Sequence, residues 1–262
     1  MKISYCQPSL NYFYHSGNTP KKQAQTSVPS FTAMSVRECR DLVKRSFVTC
    51  DMECQNILTR IYNYRDVNKQ PIFNIELNRQ MYPKIKKDQE GLLLYAGYTD
   101  LSDEMNRFLS KRELRKATPL MVTDAIRVFD YSLKKLDDKY GKYSGIVYRQ
   151  GFFPLGQHQY ISTTVDPIIA ATLRGGICYN KNLEFSIIKA KNGHKINEFQ
   201  KKMGSDYAEE EDEILLSRHS KFREITNPQG QFLQLKNKFH KMLETYAQGE
   251  VSKDKIRIFE EV

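Results

Sequence analysis

The sequence predicts an α+β fold in which helices come first and short strands follow. Two patterns carry this. Val122, Ile126, Phe129, Leu133 and Leu136 recur at steps of four and three, the stripe of an amphipathic helix. From Gly145 onward the chain breaks into short apolar or alternating runs, as strands do. An apolar content of 40% over 262 residues is enough to supply a core.

Taken in order, Ser35-Val36-Arg37-Glu38 has the form of a capping box and opens a first helix. Cys54, Ile57, Leu58, Ile61 and Tyr62 fall at helical spacing, whereas Phe73, Ile75 and Leu77 alternate and suggest a short strand. Residues 84–90 are charged and read as a loop leading into the apolar run 92–95. Asp100 or Ser102 caps a helix reaching Arg112, with Met105, Phe108 and Leu109 turned inward. Thr118-Pro119 opens the amphipathic helix, Thr as N-cap and Pro in the first turn, and it ends near Asp137. Residues 146–148, 159–161, 183–189, 213–216 and 222–225 read as strands. Asp166-Pro167 caps a short helix over 168–173. Phe232, Leu235, Phe239, Met242 and Tyr246 mark another helix, and 255–259 a last strand. The chain has no internal repeat.

Three segments follow from this pattern: a leader over 1–34, a helical N-terminal subdomain over 35–89 and a larger domain over 90–262. The first 37 residues lack Asp and Glu and contain Pro8, Pro20 and Pro29, and residues 2–16 carry no apolar core of a signal peptide. A disordered tail and an unstructured leader for one-step export both fit that composition. Cys6, Cys39, Cys50, Cys54 and Cys178 are odd in number and form no CxxC pair, which argues against a disulfide framework and against zinc. Such usage suits a reducing compartment. The net charge of +10 favours an acidic partner. The basic residues are scattered as pairs such as Lys21–Lys22 and Lys86–Lys87, so nucleic acid is not the expected partner. No apolar run approaches the ~20 residues of a membrane span.

Three short segments could carry chemistry. Tyr148-Arg149-Gln150-Gly151 ends an apolar strand, where an arginine needs an anionic partner, either a ligand or a structural carboxylate. Ser162-Thr163-Thr164 lies on a strand, where hydroxyls commonly pair across the sheet. Glu209-Glu210-Glu211-Asp212-Glu213 runs into Ile214-Leu215-Leu216. If the strand extends back to Glu211, alternation aims Glu211 and Glu213 the same way, and each carboxylate raises the pKa of the other. A solvated acidic turn and a divalent-cation site are the alternatives, the latter without an Asp-x-Asp-Gly loop.

In their order, these segments resemble the mono-ADP-ribosyltransferases of the arginine–serine–glutamate type, the cholera-toxin and bacterial-effector branch. Tyr148-Arg149 is similar to the family's aromatic–arginine motif, Ser162-Thr163-Thr164 to its Ser-Thr-Ser motif, and Glu211-Asp212-Glu213 to its Glu-x-Glu strand. Residues 193–207 resemble the target-recognition loop, and 98–109 the helix upstream of the motifs. The likeness spans roughly residues 90–262. Two departures stand out: Gln150 separates Arg149 from Gly151, and Ser110 occupies a position that is often basic.

The resemblance implies a fold of N-terminal helices followed by a split two-sheet β core around an NAD cleft. It implies NAD as co-substrate, no metal, and transfer of ADP-ribose to a protein acceptor. Breaking the nicotinamide–ribose bond develops positive charge on the ribose, as in glycoside hydrolysis. Glu213 would stabilise that charge and hold the 2′-hydroxyl, with Ser162 orienting it. Glu211 would orient and deprotonate an arginine acceptor, whose pKa lies above ~12. Arg149, together with Tyr148, Thr163 and Thr164, would hold NAD, and Gly151 would let backbone approach the nicotinamide amide. Arg174 is the candidate for the adenine-side phosphate. The expected setting is a secreted or injected bacterial toxin acting in the host cytosol, with a host protein as acceptor. Some relatives need a host activator; the helix containing Phe232 and Tyr246 reads first as a core helix, with a docking face for such an activator as the alternative. The same fold could instead serve NAD hydrolysis, and a basic non-catalytic binding module is the reading from another class.

Overall fold

The computed structural model describes residues 37, 56, 57, 59, 60, 64, 102–115, 117–156, 158–172, 184–198, 212–246 and 251–262. The leader, the strand expected at 73–77, the boundary at 89/90, Glu211, Arg174 and most of 193–207 lie outside them. The chain divides into two compact units, Met1–Ser132 and Leu133–Val262.

In the first unit, α1 (Ser102–Leu109) stops short of the expected Arg112, because Lys111 turns into the left-handed region at φ 56°. Phe108, expected to face inward, is exposed, and Glu104 is buried in its company of Ser102 and Met105. The carboxylate of Glu104 accepts the backbone N–H groups of Arg115 at 3.1 Å and Ala117 at 3.3 Å, which offsets the cost of burying it. The long helix α2 (Pro119–Tyr140), whose residues from Leu133 on belong to the second unit, starts at Thr118-Pro119 as expected, with the Thr118 hydroxyl accepting from the Met121 N–H. Val122, Ile126, Phe129, Leu133 and Leu136 are all buried. On its buried face Asp124 takes a two-pronged bond from Arg60, at 2.9 and 2.8 Å, and a third from the Tyr64 hydroxyl at 2.7 Å. Burial first, then the bond to Asp124, pushes the Tyr64 pKa up to about 12.

The second unit is built on one mixed six-stranded sheet, ordered β4-β2-β1-β3-β6-β5. Its strands are β1 (Tyr143–Gln150), β2 (Ile161–Thr164), β3 (Phe185–Gly193), β4 (Glu213–Leu216), β5 (Phe222–Glu224) and β6 (Ile256–Glu261). Among the described residues the strands do not split into two sheets. The central β1 pairs with β2 on one side and β3 on the other, and so joins the halves. Every pairing is antiparallel except β3 with β6.

Alternation along these strands separates two apolar layers. Val147, Ile161, Ile188, Ala190, Ile214, Leu216 and Phe259 form one with Phe153, whose ring stacks on Phe259 at 4.2 Å. Phe185, Ile187, Ile256 and Ile258 form the other, covered by α3 (Pro167–Thr172) and α4 (Gly230–Tyr246). Asp166 caps α3 by accepting the Ile168 N–H at 2.7 Å. Phe239 and Leu243 bury α4 in this layer, so α4 is a core helix along that face. No described helix is long and apolar enough to cross a membrane.

Candidate active site

The three motifs lie on three neighbouring strands, β4, β2 and β1. In the β2–β4 pair, Thr164 faces Glu213 and Ser162 faces Leu215. Paired residues share a side of the sheet, so Ser162, Thr164 and Glu213 project together, and Tyr148, paired with Thr164, joins them. The Ser162 hydroxyl donates to Glu213 Oε1 at 2.5 Å, a short bond to a carboxylate that is only 4% exposed. Arg149 donates from Nη1 to the Ser162 carbonyl at 2.7 Å. The link from Arg149 to Glu213 therefore runs through both the main chain and the side chain of Ser162.

The other expected residues divide by what their side chains touch. Thr163 is buried and its hydroxyl donates to the Ile214 carbonyl at 2.6 Å, locking β2 to β4. Thr164 accepts the Asp166 N–H at 3.1 Å and so turns the chain into α3. Tyr148 packs its ring 5.0 Å from Phe239 in the layer under α4, and burial raises its pKa. Gly151 has φ 98°, which only glycine adopts easily, and a Cβ there would meet nothing within 4 Å. Its N–H donates to the Glu184 carbonyl at 2.7 Å, so the approach it permits is to an open backbone whose donor is already engaged.

Before Glu213 the backbone departs from a strand. β4 begins at Glu213, and Asp212 has φ 37°, in the left-handed region that Asp tolerates better than most residues. The alternation expected to align Glu211 with Glu213 concerns a residue outside the described ones. Asp212 is held from two directions: Asn197 Nδ2 donates to its Oδ1 at 3.1 Å, and its carbonyl accepts the Val165 N–H at 3.3 Å.

The sequence reading missed the groups that brace β4 from behind. His194 exchanges both backbone hydrogen bonds with Leu215, at 2.8 and 3.0 Å, and its buried ring meets Asp137 Oδ1 at 2.8 Å. Lys195 Nζ donates to the Tyr140 carbonyl at 2.9 Å. A Cβ on Gly193 would stand 2.4 Å from Ile214 Cγ2, so only glycine lets β3 end this close to β4. The start of the expected recognition loop is thus fastened to the strand that carries Glu213. The sole sequence signal was Gly193-His194 behind an apolar strand. Among the described residues no group of three or more His, Cys, Asp or Glu is arranged to hold a metal ion.

No protein-family model matches the chain, and no curated protein does. Among solved structures it is similar to the type III effector XopAI from Xanthomonas axonopodis pv. citri. That likeness has 12% identity and a TM-score of 0.44, over 87% of this chain and 92% of the effector's. A form of the same effector truncated by 70 N-terminal residues matches at 15% identity and a TM-score of 0.39, over 88% of this chain and 90% of that one.

Proposed function

We propose that this chain cleaves NAD and transfers ADP-ribose to a host protein side chain, arginine above all, as a bacterial effector or toxin acting in the host cytosol. One observation carries the reading: Ser162 holds the buried carboxylate of Glu213 at 2.5 Å while Arg149 holds the Ser162 carbonyl at 2.7 Å. Residues 13 and 51 positions apart in the chain are thereby joined in one hydrogen-bonded unit. A solvated acidic turn would leave Glu213 in water, and it is 4% exposed.

NAD supplies a ribose carbon bonded to a cationic nicotinamide leaving group. A buried carboxylate, an arginine bonded to the Ser162 carbonyl and the open backbone at Gly151 suit such a substrate. Glu213 stabilises positive charge at the ribose and accepts from its 2′-hydroxyl, and Ser162 fixes the carboxylate's orientation. Arg149 binds phosphate or ribose oxygens as a charged donor. Tyr148, Thr163 and Thr164 keep the walls of this site in register. Glu211 orients and deprotonates the acceptor, and Arg174 takes the adenine-side phosphate.

Incubating host-cell lysate with labelled NAD and the purified protein tests the whole reading. Label should appear on protein arginines, and Glu211→Gln should abolish labelling while nicotinamide is still released. Nicotinamide release with no labelled protein would make the chain an NAD glycohydrolase of the same fold. Release of none, with or without host extract and host activators, would leave a basic binding module whose grip on polyanions weakens with salt.

A further inference from the structure

A buried pair that the chemistry proposed for Glu213 leaves unused stands behind β4, within the second unit. The His194 imidazole donates from Nδ1 to Asp137 Oδ1 at 2.8 Å, and the two side chains are only 8% and 12% exposed. Asp137 comes from the last turn of α2, and His194 is the residue after β3, 57 positions on.

His194 is fixed through its backbone as well. Its N–H donates to the Leu215 carbonyl at 2.8 Å, and its carbonyl accepts the Leu215 N–H at 3.0 Å. On its other edge Leu215 pairs with Ser162, the residue whose hydroxyl holds Glu213. His194, Leu215 and Ser162 therefore stand in one row across neighbouring segments. Beside this row, a Cβ on Gly193 would stand 2.4 Å from Ile214 Cγ2. The edge of β4 that faces away from β2 is thus gripped at two successive residues, and the grip is anchored to α2 through an imidazole.

Burying an imidazole against a carboxylate costs desolvation that an apolar pair of the same size avoids, so stability alone does not call for it. A directional bond does what apolar contact does not, since its geometry admits one position of the backbone that carries it. We infer that His194 and Asp137 are positioning residues, which set where β4 lies and with it the reach of Glu213 toward Ser162 and substrate. The role is exerted through β4, without contact to reacting atoms. It rests on the reading of Glu213 as the carboxylate of NAD cleavage.

Three variants of the full chain test it: His194→Phe, His194→Asn, and Asp137→Leu combined with His194→Phe. Phe removes the donor, Asn puts an amide nitrogen where Nδ1 stands, and the double variant replaces the pair with apolar packing that restores the melting temperature. In His194→Phe and in the double variant, kcat for nicotinamide release should fall about tenfold or more with KM within about twofold. His194→Asn should recover most of that rate. A merely structural pair would regain its rate together with its stability. Amide hydrogen exchange, which needs no NAD, should quicken about tenfold at Leu215 in both Phe variants and stay unchanged in β6. Quickened exchange where even the native chain releases no nicotinamide would uphold the grip on β4 and end the reading of Glu213. Native kcat in the double variant, or unchanged exchange at Leu215 in His194→Phe, would overturn the inference and leave that reading standing.

Discussion

The hydroxyl of Ser162 donates to the carboxylate of Glu213 at 2.5 Å, across strands whose residues lie 51 positions apart in the chain. Their backbones do not face each other directly, since Ser162 pairs with Leu215 and Glu213 with Thr164. The contact is diagonal, along one side of the sheet. Ser162→Ala should therefore lower the rate of nicotinamide release by roughly 10- to 100-fold with little change in KM, as loss of an orienting partner does. Ser162→Thr, which keeps the hydroxyl, should recover part of that rate. Steady-state kinetics beside a thermal melt separates this from unfolding.

Arg149 reaches the site through the Ser162 carbonyl. Arg149→Lys keeps the charge and loses the fork that can serve the carbonyl and a ligand together. NAD binding measured by titration should weaken at least about tenfold, which is about 1.4 kcal/mol.

The close approach of Gly193 to Ile214 ties stability to the site. Gly193→Ala would put a Cβ 2.4 Å from Ile214 Cγ2, beside Glu213 in β4. Overpacking of this kind costs roughly 1 to 3 kcal/mol. Chemical denaturation should show that loss, with a larger proportional loss of nicotinamide release than of stability-matched controls in α4.

Much of this fold was legible because it is written in local periodicity. The stripe from Val122 to Leu136 buries as expected, and β4 spans Glu213–Leu216 as read. What sequence could not show depends on partners distant in the chain. Glu104 is buried because Arg115 and Ala117, 11 and 13 residues on, bring it backbone donors. β1 joins what looked like two sheets because it pairs on both edges, a non-local choice. The alignment of Glu211 with Glu213 assumes an extended chain; Asp212 has φ 37°, and Glu211 lies outside the described residues. By contrast, the meeting of Arg149, Ser162 and Glu213 followed from motif order.

The buried carboxylate of Glu261 predicts a pH dependence of folding. Burial works to raise its pKa. The N–H groups of Lys191 and Asn192, at 2.5 and 2.9 Å, with the Ser220 hydroxyl at 2.7 Å and the Asn192 side chain, outweigh burial and hold it below the ordinary 4.5. A depressed folded-state pKa stabilises fully above the unfolded value and is lost as pH falls through the folded one. Urea denaturation of the native chain should therefore lose stability progressively below about pH 4.5. Glu261→Gln should be less stable at neutral pH by roughly 1 to 3 kcal/mol and should show a flatter acid limb.

The central claim is that Glu213 is the carboxylate on which NAD cleavage depends. Nicotinamide release from NAD, measured with the native chain and with Glu213→Gln at matched folding and in the presence of host extract, tests it most directly. The account predicts release by the native chain and a fall of about 100-fold or more in the variant. Equal rates in the two proteins, or none in either, would contradict it.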